Sequence, residues 1–202
     1  MILTDRSIRR HINQNHITIE PFPEDDAFQP ASVELTLGDR FALPWETDRY
    51  AIERKWVAEN LEHTKVWTAE AFAERTWTDI CIGPDEFILG HTVETVKIPR
   101  DICAQVNGKS SLGRMGIQVH ATAGFIDPGF VGQITLELKN MSKQPIWLKP
   151  GMRIAQLVFF MTVSAADRPY GHPELHSHYQ GQTGAVRARG SDEYTQEHLP
   201  GL

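Results

Sequence analysis

Apolar and polar residues alternate with a period of two along much of the chain, which is the pattern of half-buried β-strands. Residues 32–37 alternate in this way and end at the turn formers Gly38 and Asp39. Gly-Pro, Asp-Pro-Gly and Lys-Pro-Gly steps separate further strand-like runs at residues 87–98, 117–121, 133–140, 145–148 and 153–160. Many short strands with turns between them predict a mainly β protein, built as a sandwich, jelly roll or distorted barrel.

Three segments depart from the β pattern. At the amino terminus, Ile8 and Ile12 lie one helical turn apart behind Thr4 or Asp5, which predicts a short capped helix. These residues and the strands predict one β domain over residues 1–166.

A charged stretch at about 48–78, rich in Trp and Glu, indicates an insertion in that domain, with a short helix capped by Thr68. Residues 167–202 contain little to bury and predict a flexible tail or lid.

Composition narrows the class of protein. Of the 202 residues, 41% are hydrophobic, which is enough for a core, and the formal net charge is -6. We expect no broad binding of nucleic acid or anionic membrane, since both are polyanionic surfaces. No run approaches the roughly 20 apolar residues of a membrane span, and residues 1–6 lack a secretory pattern, so we expect a cytoplasmic protein. Cys81 and Cys103 stand alone, which argues against a cysteine-based zinc site and favours two buried thiols.

The densest candidate chemistry lies in residues 107–140. Residues 108–114 combine two cations, two hydroxyls and two glycines, which suits a phosphate chain but also an ordinary solvated turn. Asp127 begins an Asp-Pro-Gly turn, so it has a structural role available besides a functional one. In residues 133–139, Glu137 lies on the face opposite the leucines; it is either solvent-facing or, in a closed cleft, a proton shuttle.

The tail carries Tyr170, three histidines at 172, 176 and 178, and the segment 179–184, Tyr-Gln-Gly-Gln-Thr-Gly. No helical pattern frames the histidines as a metal site, so a solvated loop is favoured. The alternative is a lid that folds over a bound ligand.

Seven segments in order and spacing resemble the dCTP deaminase family, a branch of the trimeric dUTPase-like fold. They are residues 1–8 (MILTDRSI), 29–35 (QPASVEL), 108–114 (GKSSLGR), 121–130 (ATAGFIDPGF), 134–138 (ITLEL), 150–152 (PGM) and 179–182 (YQGQ). The resemblance implies a homotrimer of distorted jelly-roll or β-barrel subunits with active sites shared between subunits. It also implies hydrolytic removal of the cytosine 4-amino group without zinc, and the Pro-Cys-x-x-Cys part of the zinc deaminase signature is absent here.

The resemblance also assigns roles to residues. Glu137 matches the catalytic glutamate that activates water, Ser110 and Arg114 match residues that hold and polarise the reacting centre, and Asp127 matches the acid that binds the deoxyribose 3′-OH. Mg²⁺ would arrive with the triphosphate, and dTTP is the expected feedback inhibitor. The full set of implied substrate contacts is Lys109, Ser110, Ser111, Leu112, Gly113, Arg114, Asp127, Phe130, Thr135, Leu136, Glu137, Gln156, Tyr170, His178 and Gln182.

One position departs from the family pattern. The family usually has lysine before the tail tyrosine, where this chain has His178. Because a histidine is mostly neutral at pH 7, we hypothesise that nucleotide binding strengthens as pH falls toward 6.

Members of the family stop at dUTP or continue to dUMP and pyrophosphate. Gly124 and Phe125 resemble the dUMP-forming members, in which Asp127 would also activate water for attack on the α-phosphate. A deaminase that releases dUTP, a plain dUTPase and a non-catalytic nucleotide-binding regulator are the alternatives.

Overall fold

A computed structural model describes residues 1–42 and 79–186. The predicted insertion at about 48–78, with its helix at Thr68, lies outside the described residues, as does the chain after residue 186. Within the described residues the protein is mainly β, as predicted. The helices and strands are α1 (Asp5–Asn13), β1 (Thr18–Glu20), β2 (Phe28–Gln29), β3 (Ser32–Thr36), β4 (Ile80–Ile82), β5 (Phe87–Lys97), β6 (Ile102–Gly108), α2 (Ser110–Met115), β7 (Ile117–Gln118), β8 (Phe125–Ile126), β9 (Val131–Asn140), β10 (Ile146–Leu148) and β11 (Arg153–Met161).

Two larger sheets and one small one organise these strands. The order is β1-β5-β9-β7 in a four-stranded sheet, β2-β3-β11-β6-β8 in a five-stranded sheet, and β10-β4 in a two-stranded sheet, with antiparallel pairing throughout. Buried side chains from both larger sheets form one hydrophobic cluster, which includes Leu136 and Leu138 from β9 and Leu157 and Phe159 from β11. Burial of these faces stabilises the fold at about 25 cal/mol per Å² of apolar surface.

The sequence predictions and the structure agree at the amino-terminal helix. Thr4 occupies the N-cap position of α1, and Ile8 and Ile12 are buried. The Thr4 side chain makes no capping hydrogen bond; instead, the Thr4 carbonyl accepts from the Ile8 N–H at 2.8 Å. The apolar face of the helix, rather than its cap, therefore anchors it to the core.

The structure differs locally from the sequence predictions at four places. The polar residues Ser32 and Glu34 of β3 are buried along with its apolar face, and Lys109 and Arg153 form ion pairs with Glu34. The strand predicted at residues 117–121 ends at Gln118.

The strand β6 and the helix α2 add to the predicted elements. In β6, Cys103 stands between two apolar residues, so the sequence shows a continuous apolar run instead of the alternation typical of a strand. In α2, the glycine and two serines are poor helix formers. Burial of Leu112 stabilises this six-residue helix instead.

Residues 167–186, here called the tail segment, pack against the turn before β9 and along β9 itself. The Tyr170 N–H donates to Pro128 O, and the Gly181 N–H donates to Val131 O, both at 2.7 Å. Gln182 forms a parallel bridge to Gly132. The division into a domain over residues 1–166 and a flexible tail stays a prediction.

Candidate active site

The strand β9 presents one face to the core and the other to a cavity. Its burial alternates strictly, so Ile134, Leu136 and Leu138 are buried while Thr135 and Glu137 face the cavity. This is the alternation predicted from the sequence. Leu136, also predicted as a substrate contact, is fully buried in the core and does not line the cavity.

The cavity has a volume of about 900 Å³ and opens to solvent. Its wall combines residues of β9, the Asp127 turn and the tail segment with apolar side chains of β5. Of the residues predicted from the sequence, it brings together Phe125, Asp127, Phe130, Thr135, Glu137, Tyr170, His178 and Gln182. A concave, largely apolar site with a few convergent polar groups is typical of a small-molecule site.

The Glu137 carboxylate is held by one residue of the β7–β8 loop. The Thr122 N–H donates to Glu137 Oε2 at 2.7 Å, and Thr122 Oγ1 lies 3.0 Å from Oε1 and 2.9 Å from Oε2. A carboxylate has about four lone-pair positions, so acceptor capacity remains for water or a ligand. Glu137 can therefore act as a base in the cavity.

The Asp127 turn forms part of the cavity wall. The Phe130 N–H donates to Asp127 O at 3.2 Å, and Gly129 has φ +96°, as position three of a type II turn requires. A side chain at Gly129 would meet Pro169 and Tyr170, so the tail segment lies directly on the turn. The Phe130 and Tyr170 rings pack 5.8 Å apart. Asp127 thus serves the turn and also lines the cavity.

Two glutamines join the tail segment to β9. The Gln180 amide donates to Gly129 O and its carbonyl accepts from the Val131 N–H, both at 3.0 Å. Gln182 donates through Nε2 to Gln133 O at 2.8 Å, while its buried Oε1 has no hydrogen-bond partner among the described residues. Gln182 thus lines the cavity, and its side-chain oxygen is a buried acceptor left without a partner there.

A second group of predicted residues lies away from this cavity. Ser110, Ser111, Gly113 and Arg114 are exposed on α2, whereas Leu112 is buried in the core. None of them lines the cavity within the same subunit, and neither does Lys109 or Gln156.

Lys109 and Gln156 lie on one polar face of the five-stranded sheet. Lys109 Nζ is 2.6 Å from Glu34 Oε1, and Gln156 is the cross-strand neighbour of Glu34. Arg153 Nη1 lies 3.5 Å from the other Glu34 oxygen. The predicted site residues thus form two separate surfaces in one subunit.

Gly124 and Phe125 join the β7–β8 loop to β8 and lie against β6. Gly124 O accepts from the Val106 N–H at 2.8 Å, and a Cβ at Gly124 would lie 2.9 Å from Val106 O. The next residue, Phe125, begins β8 and is exposed at the cavity wall. Any larger residue at position 124 must therefore displace the β6–β8 pairing.

A buried histidine is the cross-strand neighbour of Thr135. His91 is 3% exposed; its Nδ1 donates to Thr92 O at 2.8 Å, and its Nε2 accepts from the Arg40 N–H at 3.2 Å. Burial, together with the Arg40 charge, lowers the pKa of His91, against the raising effect of the Thr92 carbonyl and Asp39. Both contacts require the neutral imidazole with its proton on Nδ1.

The cavity also contains residues that the sequence patterns did not indicate. Phe87 and Leu89 of β5 line it because they pair with Lys139 and Glu137 across the sheet. His120 lines it from the β7–β8 loop, with a buried Nδ1 that has no partner among the described residues. A lone histidine in a loop has no spacing signal, so only the fold could locate it.

The described residues contain neither a metal-binding arrangement nor a membrane-spanning helix. Across residues 1–42 and 79–186, no cluster of three or more His, Cys, Asp or Glu side chains is arranged to hold a metal ion. Cys81 and Cys103 form no disulfide and are half-buried rather than buried as predicted, and burial raises the pKa of the Cys103 thiol. Nowhere in the described part is there a helix with the length and apolar character to cross a bilayer.

The chain is similar in sequence to proteins of one family. The dCTP deaminase-like family profile matches residues 2–162. A protein of Beutenbergia cavernae called "dCTP deaminase, dUMP-forming" is 42% identical over 98% of this chain and 100% of its own. A protein of Natronomonas pharaonis called "dCTP deaminase" is 45% identical over 96% of this chain and 98% of its own.

A solved structure shows likeness in fold. The 2′-deoxycytidine 5′-triphosphate deaminase of Agrobacterium tumefaciens superposes with a TM-score of 0.57 at 23% identity. The match covers 79% of this chain and 48% of that longer one. From the family profile and the near full-length relatives, the chain belongs to the dCTP deaminase-like family.

Proposed function

We propose that this protein hydrolyses dCTP at C4 of the base and then releases pyrophosphate to give dUMP. The observation that carries the proposal is Glu137, an acceptor-only side chain in a cavity that also holds Asp127, Phe130 and Gln182. Similarity to relatives called dCTP deaminases, most of them dUMP-forming, supports the same reaction.

The deamination step needs a base but no redox partner. Glu137 takes a proton from water as the water oxygen bonds to C4, and that proton passes to N3. The hydroxyl proton of the intermediate then passes to the amino group, the C4–N4 bond breaks and ammonia leaves. Water and dCTP thus become dUTP and ammonia, with every proton accounted for.

The separation of the two surfaces supports a trimer. Ser110 and Arg114 are exposed outside the cavity that contains Glu137 in the same subunit. In our proposal a neighbouring subunit brings its α2 to this cavity, together with Lys109, Ser111 and Gln156. A closed trimer does this three times with one type of contact.

The remaining proposed contacts are with the sugar and the triphosphate of the substrate. Asp127 accepts from the deoxyribose 3′-OH, and Phe130 packs under the sugar. The triphosphate is bound by Lys109, Ser110 and Ser111 at the start of α2, together with Tyr170, His178 and Gln182 of the tail segment. Mg²⁺ enters with that triphosphate as part of the substrate. dTTP shares the deoxyribose and triphosphate of the substrate, and in our proposal it competes for the same site as a feedback inhibitor.

A time course with dCTP and Mg²⁺ tests the proposal. We expect dUMP and pyrophosphate with little free dUTP, and we expect Glu137→Gln to lose about 10²- to 10⁴-fold in rate while still binding dCTP. Accumulation of dUTP would show a deaminase without the second step. Turnover of dUTP alone would show a dUTPase, and binding without turnover would show a regulator.

The choice of dUMP over dUTP rests on Gly124 and Phe125. In the second step Asp127 would activate water for attack on the α-phosphate. Among relatives at 41–45% identity, one is called "dCTP deaminase, dUMP-forming" and another "dCTP deaminase". The time course therefore decides which product this protein forms.

A further inference from the structure

Thr122 contacts both oxygens of the Glu137 carboxylate, but with different chemistry at each. The peptide N–H, which can only donate, points to Oε2 at 2.7 Å. The hydroxyl has one proton and lies within reach of both oxygens, at 3.0 Å from Oε1 and 2.9 Å from Oε2. It donates to one oxygen at a time.

This asymmetry distinguishes the two oxygens when Glu137 gains a proton. The N–H needs an acceptor, and the carbonyl oxygen of a carboxylic acid accepts better than its O–H oxygen. A proton on Oε1 leaves Oε2 as the carbonyl, to which both the N–H and the rotated hydroxyl can donate. A proton on Oε2 would make that oxygen a poorer acceptor and so weaken its short contact with the Thr122 N–H.

We infer that Thr122 is a positioning residue that makes Oε1 of Glu137 the proton-carrying oxygen in deamination. The inference rests on the proposed function. In the charged state the hydroxyl donates to Oε1, and it turns to Oε2 when Oε1 takes the proton from water. The same Oε1 then gives its proton to N3, and in the second transfer carries the proton to the departing amino group.

The loop that carries Thr122 is held independently of this hydroxyl. The Gln118 amide donates to His120 O at 3.4 Å, and the Val106 N–H donates to Gly124 O at 2.8 Å. The Thr122 peptide contact to Glu137 also remains when only the side chain changes. Thr122→Val therefore removes one hydroxyl and preserves shape, β-branching and loop anchors.

Steady-state kinetics of Thr122→Val and Thr122→Ser with dCTP and Mg²⁺ test the inference. We expect the valine variant to lose about 10- to 100-fold in kcat, since one hydrogen bond to a charged group is lost, with KM for dCTP nearly unchanged. Serine restores kcat because it keeps the hydroxyl. The matched control Thr18→Val, on the edge strand β1 outside the cavity, keeps wild-type kinetics.

Three results would overturn the inference while leaving the proposed function intact. They are a valine variant with wild-type kcat, a serine variant as slow as valine, and a KM that rises by the factor by which kcat falls. The last would mean that the loop had moved. A wild-type protein that does not turn over dCTP overturns the proposed function, and this inference with it.

Discussion

Replacing Gly129 with alanine tests whether the tail segment rests on the Asp127 turn. At Gly129, φ is +96°, and a Cβ would lie 2.6 Å from Pro169 Cβ and 2.8 Å from Tyr170 O. Gly151 provides a matched control: it also follows a proline in a turn, its φ is +90°, and nothing lies within 4 Å of its Cβ position. The pair separates backbone strain from contact with the tail segment.

The expected magnitudes follow from these two geometries. A positive φ costs a residue with a Cβ about 1–2 kcal/mol, so this term lowers the free energy of unfolding of both variants. Overpacking adds about 1–3 kcal/mol at Gly129 only, because two of its contacts are backbone atoms that cannot rotate away. For a chain of this length the additional loss lowers Tm by roughly 2–12 °C.

Urea denaturation followed by tryptophan fluorescence, at one protomer concentration, measures the difference. We also expect Gly129→Ala to raise KM for dCTP, since Tyr170 lines the cavity, and Gly151→Ala to leave it unchanged. Equal losses of stability and equal KM values in the two variants would refute the reasoning. The tail segment would then not rest on the turn.

Three further predictions concern product, affinity and stability. Gly124→Ala should shift the product from dUMP toward dUTP in the time course, because its Cβ pushes against Val106 O and displaces Phe125; an unchanged product ratio would contradict this. Binding of dCTP, measured by calorimetry, should tighten from pH 7.5 to 6, and His178→Lys should remove that trend; a persistent trend would exclude His178 as its source. The free energy of unfolding should fall as pH drops below about 6.5, since the lowered pKa of His91 means that the unfolded chain binds more protons, and His91→Gln should flatten the slope relative to wild type.

The sequence by itself determined the β class, the amino-terminal helix and the two faces of β9. Alternation is a local property of the chain, so Glu137 and Thr135 could be placed opposite Leu136 and Leu138 without a structure. The Asp-Pro-Gly turn was equally readable, since proline and glycine fix the backbone angles it needs. The family resemblance then joined residues far apart in the chain into one candidate site.

Only the tertiary structure decided what covers each face and which candidates meet. Periodicity shows that Glu137 points away from the leucines. It does not show that Thr122 donates to the Glu137 carboxylate, or that the tail segment lines the same cavity. It also could not show that Ser110 and Arg114 lie outside that cavity in the same subunit. The reason is physical: hydrophobic spacing records the direction of a side chain relative to its own strand, whereas its neighbours depend on contacts between distant segments formed when the chain folds.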